Sequence, residues 1–117
     1  MNTEFGIEVQ QMQGAALVRL QGDITALAEE RFDQTVQPWL QEGCTRMVLD
    51  FSGVEYINSA GIAVLIALIS AMKERQGQLG AFGLSPHYQK IFTMVGLTQY
   101  IEVGDSFEAV LRGSPPQ

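Results

Sequence analysis

A chain of 117 residues suits one ordinary domain with a single core, and a composition of 46% hydrophobic and 17% charged residues argues against disorder. Its net charge of −6 argues against the basic footprint of a nucleic-acid binder and against attachment to anionic lipid. One cysteine, Cys44, and one histidine, His87, exclude an internal disulfide, a cysteine-rich metal site and a histidine cluster for zinc.

The opening residues, Met1 to Gly6, lack the basic start and apolar core of a secretion signal. The longest apolar run, Ile62 to Ile69, is far short of the ~20 residues that span a bilayer. A cytoplasmic protein without membrane insertion is expected. Ile7 to Met12 alternates apolar and polar residues and predicts a strand with one solvated face. Gln13-Gly14 is a turn signal, and Ala15 to Gln21 predicts a second, hairpin-paired strand. Gly22-Asp23-Ile24-Thr25 ends that strand, with Thr25 as the expected N-cap of the first helix.

Ala26 to Glu42 predicts a helix whose apolar stripe is Leu27, Phe32, Val36, Trp39 and Leu40. Pro38 should kink it or start a new turn, and Gly43 closes it. Arg46 to Phe51 reads as a central strand parallel to a neighbour. After a short loop, a second helix is expected from Ser59 to about Gln76, with Gly77 at its C-cap. Gln78 to Leu84 predicts another strand. Pro86 suits a helix N1 position, so Pro86 to Val95 is a third helix with Ile91, Phe92, Met94 and Val95 inward, ended by Gly96. Tyr100 to Val103 is a short strand, and Ser106 caps a last helix through Leu111. The order β-β-α-β-α-β-α-β-α predicts a single α/β domain over residues 1–112. Its sheet should be mixed, with right-handed crossovers that put the helices mainly on one face. Residues 113–117, Gly-Ser-Pro-Pro-Gln, are expected to be a disordered tail.

The most informative stretch joins the central strand to the second helix: Val48-Leu49-Asp50-Phe51-Ser52-Gly53-Val54-Glu55-Tyr56-Ile57-Asn58-Ser59-Ala60-Gly61-Ile62. It places one hydroxyl, on Ser59, at a helix N-terminus, where unpaired N–H groups and the helix dipole favour negative charge. Serine near a helix start is usually a cap, but Asn58 is an equally good one. If Asn58 caps, Ser59 stands at N1 with its hydroxyl toward solvent, open to phosphorylation. Gly61 then permits close backbone approach.

The helix after Ser59 has almost no polar face before Lys73. Ile62, Leu65, Ile66 and Ile69 suffice to cover a sheet, while Ala60, Ala63, Ala67, Ser70 and Ala71 form a face of small residues. That second face is either buried between flanking helices or left open near Ser59 to accept another protein. The expected contact surface is Gly22, Asp23, Ile24 and Thr25 together with Asn58, Ser59, Ala60, Gly61, Ile62 and Ala63. Both segments precede helices and should meet at one sheet edge.

The run from Val48 through Ile62 to Ala63-Val64-Leu65 resembles the signature of the STAS domain, and more narrowly that of bacterial anti-sigma factor antagonists. The likeness extends to Gly22-Asp23-Ile24-Thr25, to Gly83-Leu84-Ser85-Pro86, to Phe92-Thr93-Met94-Val95-Gly96-Leu97 and to Tyr100-Ile101. The resemblance implies partner switching. The unmodified antagonist binds an anti-sigma factor that is also a serine kinase and so frees the sigma factor. The kinase phosphorylates the motif serine, here Ser59, and the complex separates; a serine phosphatase resets it. One departure is Asn58, where the family usually has an aspartate. If a kinase reads that carboxylate, the chain becomes a permanently competent antagonist. Alternatively it is a non-phosphorylated STAS subunit of a transporter-associated or signalling-scaffold assembly.

An enzyme is not expected. Asp23, Asp50, Asn58 and Ser59 could lie near one strand end, yet no histidine or lysine is placed nearby as a base for a serine nucleophile. Gly80-Ala81-Phe82-Gly83 and Gly53 make no phosphate-binding fingerprint. No cofactor is expected. Trp39 is expected in the core, Cys44 as a small apolar filler, and His87 as a surface helix residue.

Overall fold

Gln13 and Gly14 both take positive φ (51° and 85°), the backbone of a tight hairpin turn matched to the twist of the strands it joins. They connect β1 (Gly6–Met12) to β2 (Ala15–Ile24), paired antiparallel as expected. In the computed structural model, which describes residues 3–113, β2 is followed by α1 (Glu29–Gln41), β3 (Arg46–Ile57), α2 (Ser59–Glu74), β4 (Gln78–Phe82), α3 (Pro86–Met94), β5 (Glu102–Gly104) and α4 (Phe107–Gly113). The sheet order is β1-β2-β3-β4-β5, with β2 through β5 parallel. The expected mixed α/β architecture is therefore present. Of the tail expected over 113–117, Gly113 ends α4 and the remainder lies outside the described residues.

Strand alternation sorts the apolar side chains to two faces. Ala16, Val18, Leu20, Met47, Leu49 and Phe51 face one way, covered by Phe32, Val36 and Leu40 of α1, Leu65, Leu68 and Met72 of α2, and Phe92 of α3. Phe92 meets Phe51 edge-on, ring centroids 5.6 Å apart. Ala15, Leu17 and Val48 face the other way, under Phe107 and Val110 of α4. Three helices on one face and one short helix on the other is the observed layering.

Several local expectations are corrected. The motif strand does not stop at Phe51: β3 continues through Ser52–Ile57, in place of the expected loop. These residues lack clear apolar alternation because they pair only with β2; β4 meets β3 only over Arg46–Asp50. Ahead of α1, Ala26–Ala28 form a 3-10 turn. Its tighter period turns Leu27 out of the expected stripe, leaving it 89% exposed. α1 continues through Pro38 to Gln41. In α3 only Phe92 is buried; Met94 and Val95, expected inward, are exposed because the short helix ends before a layer covers them. Gln76, not Gly77, takes the left-handed conformation after α2 (φ 55°). Gly77 instead allows close packing, since a Cβ there would lie 2.9 Å from the Thr45 carbonyl oxygen. β4 ends at Phe82 rather than Leu84, and β5 begins at Glu102 rather than Tyr100.

Ser106 acts as the expected N-cap, its hydroxyl oxygen accepting from the Ala109 N–H, and Ser85 caps α3 through the Tyr88 N–H. Thr25, expected to cap the first helix, instead caps the 3-10 turn through the Leu27 N–H, and α1 itself starts from Ala28 without a side-chain cap. Trp39 is half-buried against the core. Cys44 is also half-buried, and its thiol donates to the Arg46 carbonyl (3.3 Å). His87 is exposed at the start of α3. No helix among the described residues is long and apolar enough to cross a membrane.

Candidate functional site

The ends of β2 and β3 lie side by side, with Ile24 in register with Ile57. The Asn58 N–H then donates to the Ile24 carbonyl (3.3 Å), tying the entry of α2 to the end of β2. The Asn58 side chain turns back over the helix, and its Oδ1 accepts from the Gly61 N–H (2.9 Å). Its backbone is extended (φ −101°, ψ −175°), the conformation of an N-cap. Asn58, and not Ser59, is therefore the cap, and Ser59 is the first helical residue with its side chain exposed. Ser59 and Ala60 precede the first intrahelical bond, which Ile62 donates to the Asn58 carbonyl (2.9 Å).

Gly61 is buried against the end of β2. A Cβ there would run into the Ile24 carbonyl oxygen and lie 3.0 Å from Ile57 Cγ2. Gly22, also buried, has φ 81°, and a Cβ on it would meet the Glu4 carbonyl oxygen. The segment over Thr3 and Glu4 packs on Gly22-Asp23: Asp23 N–H donates to the Thr3 carbonyl (3.0 Å), and its carboxylate accepts from the Thr3 N–H (3.1 Å). Sequence reasoning missed this strap because Thr3 and Glu4 belong to no periodic element.

The structure thus brings the two expected segments together. Gly22, Ile24 and Gly61 are buried and set the geometry of the surface. Asp23, Thr25, Asn58, Ala60 and Ile62 are half-buried, while Ser59 and Ala63 are exposed. Beyond Ala63, the exposed face of α2 continues through Ile66, Ala67 and Ser70 and carries no charge before Lys73. Ile66, expected among the sheet-covering residues, is 46% exposed; Val64, Leu68 and Met72 join Leu65 and Ile69 in the core instead. The small-residue face is therefore open along most of its length, not sealed between neighbouring helices.

Tyr88, which sequence reasoning did not single out, reaches this site from α3. Beyond Asp50 no strand among the described residues pairs with β3 on the β4 side, and there the Ile57 N–H donates to Tyr88 Oη (3.0 Å). The hydroxyl replaces a missing ladder bond one residue before Asn58. A tyrosine followed through α3 to the strand end would have been the only available signal, and it needs the tertiary structure.

The acidic residues considered for chemistry do not converge on Ser59. Asp23 is engaged with Thr3, and Asp50 accepts both the Ser52 N–H (2.9 Å) and hydroxyl (2.6 Å) midway along β3. No group of three or more histidine, cysteine, aspartate or glutamate side chains is arranged to hold a metal among the described residues. What the arrangement offers is a solvent-facing hydroxyl at the head of an uncharged helix face.

Comparison with known proteins agrees with this layout. A family model described as "Mlab, STAS domain" matches residues 7–105. BtrV of Bordetella bronchiseptica, assigned as an anti-sigma factor antagonist, is 27% identical over 103 residues, covering 88% of this chain and 89% of that protein. The crystal structure of an anti-sigma factor antagonist from Mycobacterium paratuberculosis superposes with a TM-score of 0.81 at 19% identity, over 94% of this chain and 93% of that one. The Bacillus cell fate determinant SpoIIAA in its phosphorylated form superposes with a TM-score of 0.71 at 20% identity, over 94% and 99%.

Proposed function

The chain belongs to the STAS domain family, and we propose that within it this chain is an anti-sigma factor antagonist switched by phosphorylation of Ser59. The observation that carries the reading is the division of labour at the start of α2. Asn58 caps the helix through Gly61, so the Ser59 hydroxyl is exposed and is not the helix cap. It stands at the head of an uncharged surface, Ala63, Ile66 and Ala67, that suits protein contact.

In the unmodified chain this surface binds an anti-sigma factor that is also a serine kinase. Phosphorylation adds about −1.5 to −2 charge and a bulky group at the first helical position. The N–H groups at the helix start stabilise that charge in the free protein. In the complex the same group would have to be desolvated against the partner, and each ~1.4 kcal/mol lost is tenfold in affinity. A serine phosphatase returns the chain to its binding state.

The second reading has a specific observation behind it: a neutral Asn58 precedes Ser59. A kinase that requires a carboxylate there leaves Ser59 unmodified. The chain is then a constitutive antagonist or a STAS subunit of a transporter-associated or signalling-scaffold assembly.

Size-exclusion chromatography with the cognate anti-sigma factor, before and after incubation with ATP, tests the proposal. Co-elution that ATP abolishes in the wild type but not in Ser59→Ala is expected. Co-elution insensitive to ATP overturns the switch and favours the second reading.

A further inference from the structure

The geometry points to a second part of the docking surface, the groove between α1 and α2, whose occupant is a cationic helix of the partner. The inference rests on the protein-binding reading above and specifies the chemistry of what binds.

The groove encloses about 520 Å³. Its lining includes apolar Val36 of α1 and Ala67 and Ala71 of α2. Ser59, Ala63, Ala67 and Ala71 stand four residues apart, so they form one row along α2 that begins at the exposed hydroxyl and runs into the groove. Such a row lets another helix approach closely, ridge into groove. The groove is therefore continuous with the surface around Ser59.

Charge selects the occupant. Glu29, Glu30 and Asp33 line the α1 side, and no cationic side chain among the described residues lines the groove. Gln34 and Gln37 donate to Glu30 and Asp33 (3.4 and 3.3 Å), amides that leave the negative charge uncompensated. Of the basic residues nearby, Arg31 donates to the Phe5 carbonyl (3.1 Å) and Lys73 lies over the Tyr100 ring (4.9 Å), while Arg75 donates to the Ala71 carbonyl (3.0 Å) at the Ala71 end of the groove. A second copy of this chain, with net charge −6, would bring like charge to the groove. A partner helix with lysine or arginine toward α1 and small apolar residues toward α2 satisfies both sides. Phosphorylation of Ser59 acts on such a helix through bulk and desolvation at the head of the row, not through repulsion.

The test is an NMR titration of the ¹⁵N-labelled chain with a synthetic helical peptide of alanine and leucine bearing lysines at i, i+4 spacing. A matched peptide with glutamate for lysine is the control. The lysine peptide is expected to shift the amides of Asp33, Val36, Ala67 and Ala71, and the glutamate peptide to shift none. Glu30→Lys with Asp33→Lys, and separately Ala67→Trp, should each weaken binding at least tenfold with an unchanged melting temperature. Shifts confined to another surface, or unaltered binding by either variant, overturn the inference. The peptide titration reads the groove alone and the ATP-dependent co-elution reads the phosphorylation switch alone, so the two fail independently.

Discussion

Gly61 packs its Cα against the carbonyl of Ile24, so closely that a Cβ would sit 2.8 Å from the Ile24 carbonyl carbon. This contact holds the start of α2 to the end of β2 and brings the two halves of the candidate surface together. Gly61→Ala should therefore force the helix away. A loss of about 1–3 kcal/mol is expected from overpacking alone. Urea denaturation measures it, and weakened binding of the anti-sigma factor should accompany it.

Asn58 does the capping that leaves Ser59 available. Asn58→Ala should cost about 1 kcal/mol, typical for a lost N-cap. Asn58→Asp keeps the cap and adds a charge that the helix dipole favours, so its stability should equal or slightly exceed that of wild type. If a cognate kinase reads a carboxylate at this position, Asn58→Asp also raises the rate of Ser59 phosphorylation. Thermal melts and a phosphorylation time course separate the two effects.

Tyr88 is the third fixture of the site. Tyr88→Phe removes the acceptor of the Ile57 N–H, leaving that group without its partner (3.0 Å in the structure). A net hydrogen bond contributes about 0.5–1.5 kcal/mol. Native-state hydrogen exchange should show faster exchange at Ile57, while Val48, paired with both β2 and β4 near the start of β3, stays protected.

Ala63 is exposed one turn beyond Ser59, on the face proposed to meet the partner. Ala63→Glu should abolish binding of the anti-sigma factor while shifting stability by no more than about 0.5 kcal/mol, the usual range for surface substitutions. Unfolding of the variant, or binding equal to wild type, would contradict the placement of the surface.

The hairpin, the alternating strands and helices, Pro86 at the start of α3 and the cap at Ser106 were legible because each depends on local chemistry: turn residues, period, side-chain oxygens. Asn58 and Ser59 were legible for the same reason as two candidate caps, and the choice of Asn58 came from its bond to the Gly61 N–H. The strand over Ser52–Ile57 was not, because its pairing is one-sided and its register against β2 shifts twice. Leu27, Ile66 and Met94 read as core from hydrophobicity, yet all are exposed, since a 3-10 turn, the roll of α2 and the early end of α3 decide their direction. The strap over Gly22, the Tyr88 bond and the α1–α2 groove join residues far apart in sequence, and a pattern along one segment carries no trace of them.

Ser59, with its exposed hydroxyl, is the proposed switch. Intact-mass analysis of the chain purified from its own cells during growth, stress and starvation, with peptide mapping across residues 58–63, addresses it directly. A fraction carrying one phosphate, on Ser59, that changes with condition is expected. An unmodified Ser59 under every condition would contradict it.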